Sequence, residues 1–423
     1  MNKKIFVIIA ILLSIHLIPF LRCTAADLSL DERISRALEK PISMAGFISN
    51  PKDVGMLMYA KPSLSGGIKM AVMNGTPVTV ISDQVKEQGY RWILVKTQEG
   101  VEGWVFATGV IDSEGDLLVP AEGMAEVREV DYNKYVIPWK SNDIGAEARE
   151  TGQLRFYFMS SAGFRVERAP DEPEKWGDSC LVVFPTGELM LIDTGRMEYA
   201  PILVRNLEQL GVKKIDYLLI SHPHHDHAGG AYAPDGIPDH FEVGMMFYNG
   251  TYSANAADPH RLEKVMDEHG IPRKIITEGW TMDIGDVHLR VISPSSDVIG
   301  TVYNNTEKIN NASILLRMDF RNFSALFTGD IYKAQEKKLV QEKADLLDVD
   351  LLKVPHHGQS TSSTKDFANA VMPKLAVATG GVNFKNTQYN NYVQTGAKVL
   401  YDLRDGYIRV WTTGDAMGWG HSN

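Results

Sequence analysis

Ser221-His-Pro-His-His-Asp-His227 follows directly on Ile215-Asp-Tyr-Leu-Leu-Ile220 and runs into Ala228-Gly229-Gly230. The apolar run before it reads as a buried strand, so the histidines stand on a loop that leaves a strand end. Imidazoles and a carboxylate packed so tightly can converge on a metal ion. Twelve histidines in 423 residues give 12³/423², about 0.01, chance occurrences of His-x-His-x-x-His, and requiring the Asp lowers that further. An accidental surface cluster is therefore rejected. A structural zinc site usually closes four protein ligands, often thiolates. No such set accompanies this stretch, which points to a reactive centre.

Outward from the motif, apolar β runs alternate with helical segments from Gln153 onward. Cys180 to Phe184 and Leu189 to Ile192 read as strands, Pro201 to Leu210 as a helix, and Ile215 to Ile220 as the next strand. Later come strands at Val287 to Ile292, Ser313 to Met318, Ser324 to Phe327, Leu351 to Val354 and Leu375 to Thr379, with a helix at Lys333 to Glu342. This is α/β organisation.

The motif His-x-His-x-Asp-His resembles the signature of the metallo-β-lactamase superfamily, and the matches extend over roughly residues 153–410. Gly177-Asp-Ser179, Phe184-Pro-Thr-Gly187 and Leu191-Ile-Asp-Thr-Gly195 resemble the family's opening strands, with Asp193 supporting the metal loop. Phe327-Thr-Gly-Asp-Ile331 resembles the strand end that supplies a bridging carboxylate, Asp330. Lys353-Val-Pro-His-His-Gly358 resembles the last ligand motif, and residues 396–410 the closing hairpin. With Asn310-Asn-Ala-Ser313, the combination is most similar to the hydrolase domain of ComEC-type DNA-uptake proteins. The resemblance implies an αββα sandwich over 153–423 holding two zinc ions, or manganese. His222 and His224 would serve one ion and Asp226 and His227 the other, with Asp330 bridging. One of His356 and His357 would complete the second site; the reading favours His356 as ligand and leaves His357 for substrate contact or a proton, with Asp226 a further proton acceptor.

This chain departs from that pattern in two places. The family's third histidine on the first metal has no motif match, since His240, His260, His269 and His288 lie between the signature and Asp330 without one. Asn310 and Asn311 occupy the relevant stretch, and a neutral carbonyl oxygen there suits manganese better than zinc. The second departure is Asn383-Phe-Lys-Asn-Thr387, which lacks the His-Pro that relatives place after the Asn.

From about Pro51 to Ile111 short alternating strands are broken by glycine turns, the pattern of a small all-β barrel over residues 50–112. Gly75-Thr76, Trp92 and Gly103-Trp-Val105 resemble the bacterial Src-homology-3-like domain, which implies a cell-wall peptide contact; the plainer reading makes Trp92 and Trp104 core residues. Residues 113–152 read as a linker. Lys3 and Lys4, an uncharged run from Ile5 to Leu21, and Cys-Thr-Ala-Ala read as a signal peptide cleaved after about Ala25, or as an anchor if uncleaved. Lipid attachment at Cys23 is disfavoured by Arg22, and Cys180 reads as a buried thiol. Removing the signal leaves 40 basic against 53 acidic residues, −13, which argues against a stable nucleic-acid partner. The expected activity is an exported hydrolase of phosphodiester bonds, in a small molecule, nucleic acid or cell-envelope component, by metal-activated hydroxide. Lys353 and the Ser360 to Ser363 hydroxyls would hold the phosphate. The rivals are a lactonase or other carboxyl-bond hydrolase, and a catalytically silent wall-binding protein. Oligomeric state is not legible.

Overall fold

The computed structural model describes residues 29–422, apart from 39–43, 49–55, 64–65, 73–75, 88–89, 99, 108–109, 112–135, 160–176, 234, 257 and 381–383. The expected signal with Cys23, most of the expected linker, and Asn383 lie outside the described residues. No helix among the described residues is long and apolar enough to cross a membrane. The chain divides into two compact units, within 1–127 and 128–423.

The first unit is an antiparallel sheet in the order Ile68–Val72, Met56–Tyr59, Glu102–Phe106, Tyr90–Thr97, Pro77–Val80, Met44–Ile48, Val110–Ile111, with Val85–Glu87 paired to Tyr90–Thr97. Its first strand begins at Met44, before the expected start at 50. Alternation sorts the side chains: Ile93 and Val95 enter a core with Ile48, Val78, Val80 and Val105. Trp92 packs instead with Tyr59, Val85 and Trp104 beneath the helix Leu30–Leu38. In that helix Leu30, Ile34 and Ala37 fall at i, i+4 and i+7, one apolar stripe, and all three join the tryptophan cluster. Arg33 pairs with Glu87 at 2.5 Å, and the Asp83 amide donates to the Ala37 carbonyl at 3.1 Å. Both tryptophans are therefore core residues, covered by the chain's own helix.

The second unit has two sheets. One runs Arg273–Ile275, Glu242–Tyr248, Lys214–Leu219, Leu189–Ile192, Cys180–Val183, Leu154–Phe158, Ile408–Thr412, Met417–His421; the other runs Thr281–Ile284, Val287–Ser293, Leu315–Phe320, Phe323–Phe327, Leu351–Lys353, Leu375–Ala378, Lys398–Tyr401. Phe156, Phe158, Val182, Met190 and Ile192 of the first meet Leu289, Val291, Leu316, Met318 and Phe327 of the second in one core. Leu203, Val204 and Leu207 of helix Ala200–Gln209 cover the first sheet's outer face. Leu339, Phe367, Val371 and Tyr392, from helices Lys333–Glu342, Lys365–Val371 and Asn386–Gln394, cover that of the second. The result is four layers, α/β/β/α. Strands buried on both faces read as unbroken apolar runs rather than alternation, and Cys180–Val183 and Leu189–Ile192 are buried at every position.

Within each sheet the strands beside the site are parallel. Leu189–Ile192, Lys214–Leu219 and Glu242–Tyr248 run together, as do Phe323–Phe327, Leu351–Lys353 and Leu375–Ala378. Asp193, Ser221, Asp330, His356 and Thr379 all follow the carboxyl ends of these strands. Residues far apart in sequence thus share one rim, the usual place for a ligand in α/β sheets.

Candidate metal centre

The loop after Lys214–Leu219 is held first by Asp193. Its Oδ1 accepts from the Ser221 amide at 2.7 Å, and its Oδ2 accepts from the Ser221 hydroxyl at 2.7 Å and faces His227 Nδ1 at 2.8 Å. Asp193 itself takes a positive φ of 56°, a conformation that costs a non-glycine residue of order 1–3 kcal/mol and clusters at functional sites. With His227 fixed through Nδ1, its Nε2 is turned to the interior. His222 is buried, its Nδ1 3.1 Å from the Ser221 hydroxyl and its Nε2 3.0 Å from His224 Nδ1. Two imidazole nitrogens bound to one zinc at about 2.0–2.1 Å each must lie within about 4 Å of one another, and this pair meets that limit. Burial first, then His227 and His224, holds His222 well below its ordinary pKa, and burial likewise lowers His224. Both are neutral near pH 7, the form that binds a metal.

The second half of the site faces it from the other sheet. Asp330 Oδ2 lies 3.1 Å from His227 Nε2 and 3.2 Å from His357 Nε2, and Asp226 Oδ2 is 3.6 Å from His357 Nε2. His357 Nδ1 is 3.1 Å from the Thr379 carbonyl, which fixes the ring as Asp193 fixes His227. Both Nε2 atoms and Asp330 Oδ1 are buried without a well-formed hydrogen bond. Orphaned donors of this kind, converging on one point, fit a divalent cation held by nitrogen and oxygen. Burial opposes ionisation of Asp330 and Asp226, but the surrounding histidines hold both carboxyls well below the usual range. Burial also opposes protonation of His227 and His357. The Asp330 carboxylate with Asp193 raises His227 to about 10, and Asp330 with Asp178 raises His357 well above its ordinary value.

Two glycines make this packing possible. Gly177 has φ +92°, and a Cβ there would stand 2.0 Å from the Asp226 carbonyl oxygen; at Gly380, φ +96°, it would stand 2.2 Å from His357 Nδ1. His356 and His357 are themselves consecutive left-handed residues, φ 45° and 56°.

Several expected site residues stand elsewhere than the sequence suggested. The geometry favours His357 over His356 as the inner ligand, because the left-handed turn sends His357 inward with no exposed surface. His356 Nε2 is 3.8 Å from Asp330 Oδ2, its Nδ1 meets the Thr361 hydroxyl, and its ring lies against Tyr332 at 4.7 Å. Lys353 is buried, and its ammonium pairs with the Asp178 carboxylate and donates to the Gly329 carbonyl at 3.3 Å. Ser362 and Ser363 are also buried, the first donating to the Pro355 carbonyl at 2.9 Å and the second accepting from Tyr392 at 3.2 Å, which leaves Ser360 exposed. Asn311 Oδ1 accepts from the Tyr332 amide at 2.8 Å, a structural bond. Asn310 is buried with its Oδ1 unpartnered, and its side chain bonds Tyr332, whose hydroxyl senses Asp330 and Asp226. His240, His260, His269 and His288 pair with Asp235, Glu263, Asp239 and Asp283. None of the four has a contact with the cluster among the described residues.

Sequence reasoning gave Asp178 no role. One ligand atom from each of Asp178, His227, Asp330 and His357 falls within 4.8 Å of the others. Asp178, however, stands on the Nδ1 side of the histidines, 3.8 Å from His227 and 3.5 Å from His357, and is engaged by Lys353 and Thr379. It orients the ligands rather than joining them. The signal was in the sequence, a lone carboxylate in Gly177-Asp-Ser179 directly before a fully apolar strand.

A family model described as the metallo-beta-lactamase superfamily matches residues 175–233, and one described as the bacterial SH3 domain matches residues 57–111. The chain is 27% identical over 254 residues to ComE operon protein 3 of Bacillus subtilis (strain 168), covering 56% of this chain and 30% of that protein. It is 31% identical over 193 residues to competence protein ComA of Neisseria gonorrhoeae, covering 45% and 24%. The chain therefore spans less than a third of the length of these curated relatives. The metallo-beta-lactamase fold protein YhfI of Bacillus subtilis aligns at 12% identity with a TM-score of 0.39, covering 63% of this chain and 100% of that one.

Proposed function

From the premise that this chain carries a metallo-β-lactamase domain following a bacterial SH3 domain, we propose that it is a two-metal hydrolase of phosphodiester bonds acting outside the cytoplasm. The observation that carries the reading is the presence of two donor sets, only one of them around Asp330. His222 and His224 present two neutral nitrogens 3.0 Å apart. Asp226, His227 and His357 present the other set, with both Nε2 atoms buried and facing Asp330 Oδ2 at 3.1 and 3.2 Å. Divalent ions bound there supply Lewis-acid polarisation of the scissile bond and a water that ionises towards about pH 7.

The chain's own residues do the rest. Asp193 and the Thr379 carbonyl fix the His227 and His357 rings, so each presents one nitrogen in one direction. Asp226 is held ionised, which suits it to holding a cation and orienting a water, and makes it a weak proton acceptor. His356, at the outer side of the cluster and against Tyr332, is the residue we assign to substrate contact or proton transfer. Asn310, buried with a free carbonyl oxygen, stands in for the absent third imidazole, which favours manganese over zinc at the His222 and His224 position. The competence-protein relatives support a phosphodiester; the −13 charge supports an envelope compound over bulk nucleic acid. Lys3, Lys4 and the run Ile5 to Leu21 support export.

The test is one experiment with two readouts. The chain is expressed with its own N-terminus, the cells are fractionated, and the extracytoplasmic protein is assayed with zinc and with manganese on bis-p-nitrophenyl phosphate, DNA, a phosphorylcholine ester and nitrocefin. Metal-dependent cleavage of a phosphodiester, higher with manganese, is expected. Retention in the cytoplasm contradicts export, and turnover of nitrocefin alone contradicts the bond assignment.

A further inference from the structure

We propose that Lys353 and Asp178 act as one charge-balanced strut beneath the metal centre, positioning all four donors of the inner set and thereby setting its metal affinity. The inference rests on the two-metal reading above and deepens it. A lysine ammonium is almost never buried unless paired, yet Lys353 and Asp178 are both buried and their charged atoms meet. Lys353 then reaches one donor and Asp178 the other three. Lys353 Nζ lies 3.7 Å from Asp330 Oδ1 and donates to the carbonyl of Gly329, the residue before Asp330. Asp178 faces the Nδ1 atoms of His357 and His227 at 3.5 and 3.8 Å, and its backbone amide donates to the Asp226 carbonyl at 2.9 Å. Asp330, Asp226, His227 and His357 are thus cross-tied through one ion pair.

The charges explain why a pair is needed. Asp178 is a fourth carboxylate within the same buried region as Asp193, Asp226 and Asp330. Left uncompensated, it would be a lone buried charge beside the Nδ1 atoms and would draw a cation to that side and away from the Nε2 side. Lys353 satisfies it. Removing one member of a buried pair strands the other charge, whereas replacing both by neutral groups of similar size is commonly tolerated. Groups that orient metal-binding histidines typically change affinity by about 10–100-fold when lost.

The experiment is zinc competition against a chromophoric chelator, on protein shown to be folded by circular dichroism, for the unsubstituted chain, Lys353→Met, Asp178→Asn and the double variant Asp178→Asn/Lys353→Met. Lys353→Met should weaken one of the two zinc equivalents about 10–100-fold and leave the other unchanged. The double variant should recover at least about tenfold of that loss, because it restores neutrality. A merely structural role would lower the melting temperature without changing the affinity of the folded fraction. If Lys353→Met does not fold, Asp178→Asn alone, with Lys353 left unpaired, should be weaker than the double variant. Native affinity in Lys353→Met, or a double variant no better than the single ones, overturns the inference. An unsubstituted chain that binds neither zinc nor manganese removes the proposed function, and the inference with it; binding by the unsubstituted chain matched by the variants removes only the inference.

Discussion

His227 and His357 carry protons that His222 and His224 do not. The first two are raised far enough to be imidazolium at pH 7 in the metal-free protein, because each sits between carboxylates, while burial keeps the second two neutral. Ligands must be deprotonated to bind, so metal uptake releases protons. Filling both sites at pH 7 should release about two protons per chain in weakly buffered solution, both on filling the inner site and none on filling the outer. His357→Gln should reduce the release by about one. Equal release at the two sites, measured by stepwise titration with a pH indicator, would contradict this assignment. At this scale the sequence was readable in part. Spacing marked His222, His224, Asp226 and His227 as one constellation, but it carries no information on which ring nitrogen points where. The geometry favours His357 where the sequence favoured His356, because two adjacent histidines of equal chemistry are told apart only by the left-handed turn that carries them. The pairing of Lys353 was not legible because its partner, Asp178, lies 175 positions earlier.

Among the elements, the strand ends decide the chemistry and the helix Leu30–Leu38 decides what the first unit can expose. Five of the six parallel strands around the site were legible as apolar runs, while Glu242–Tyr248, with a glycine inside it, was not read as a strand. That their carboxyl ends lie on a single rim follows from sheet pairing, which no single segment encodes. The helix was missed, since nine residues with a short stripe of Leu30, Ile34 and Ala37 carry a weak signal beside the neighbouring strands. Its position on Trp92 bears on the wall-peptide proposal for residues 50–112, because the aromatic cluster of Tyr59, Trp92 and Trp104 is already covered. Ile34→Asp should loosen the helix at a cost of about 1–3 kcal/mol, the usual effect of placing an unpaired polar group in an apolar contact. Hydrogen exchange of strand Tyr90–Thr97 should then speed up while the strands of the second unit keep their protection. Unchanged exchange in that strand would mean the helix contributes no cover.

Across the whole molecule, one chain joins a stretch that matches the bacterial SH3 domain to one that matches the metallo-beta-lactamase superfamily, and it spans less than a third of the length of the competence proteins it resembles. Every functional assignment depends on the metal centre, and that centre is built from two sheets and from residues between Asp178 and Thr379. The most direct test of the account is metal content. Elemental analysis of folded protein purified without chelator and reconstituted with zinc or manganese should give about two equivalents per chain, falling in Asp330→Ala, which removes the carboxylate that His227 and His357 both face. Folded protein with no metal above background would contradict it.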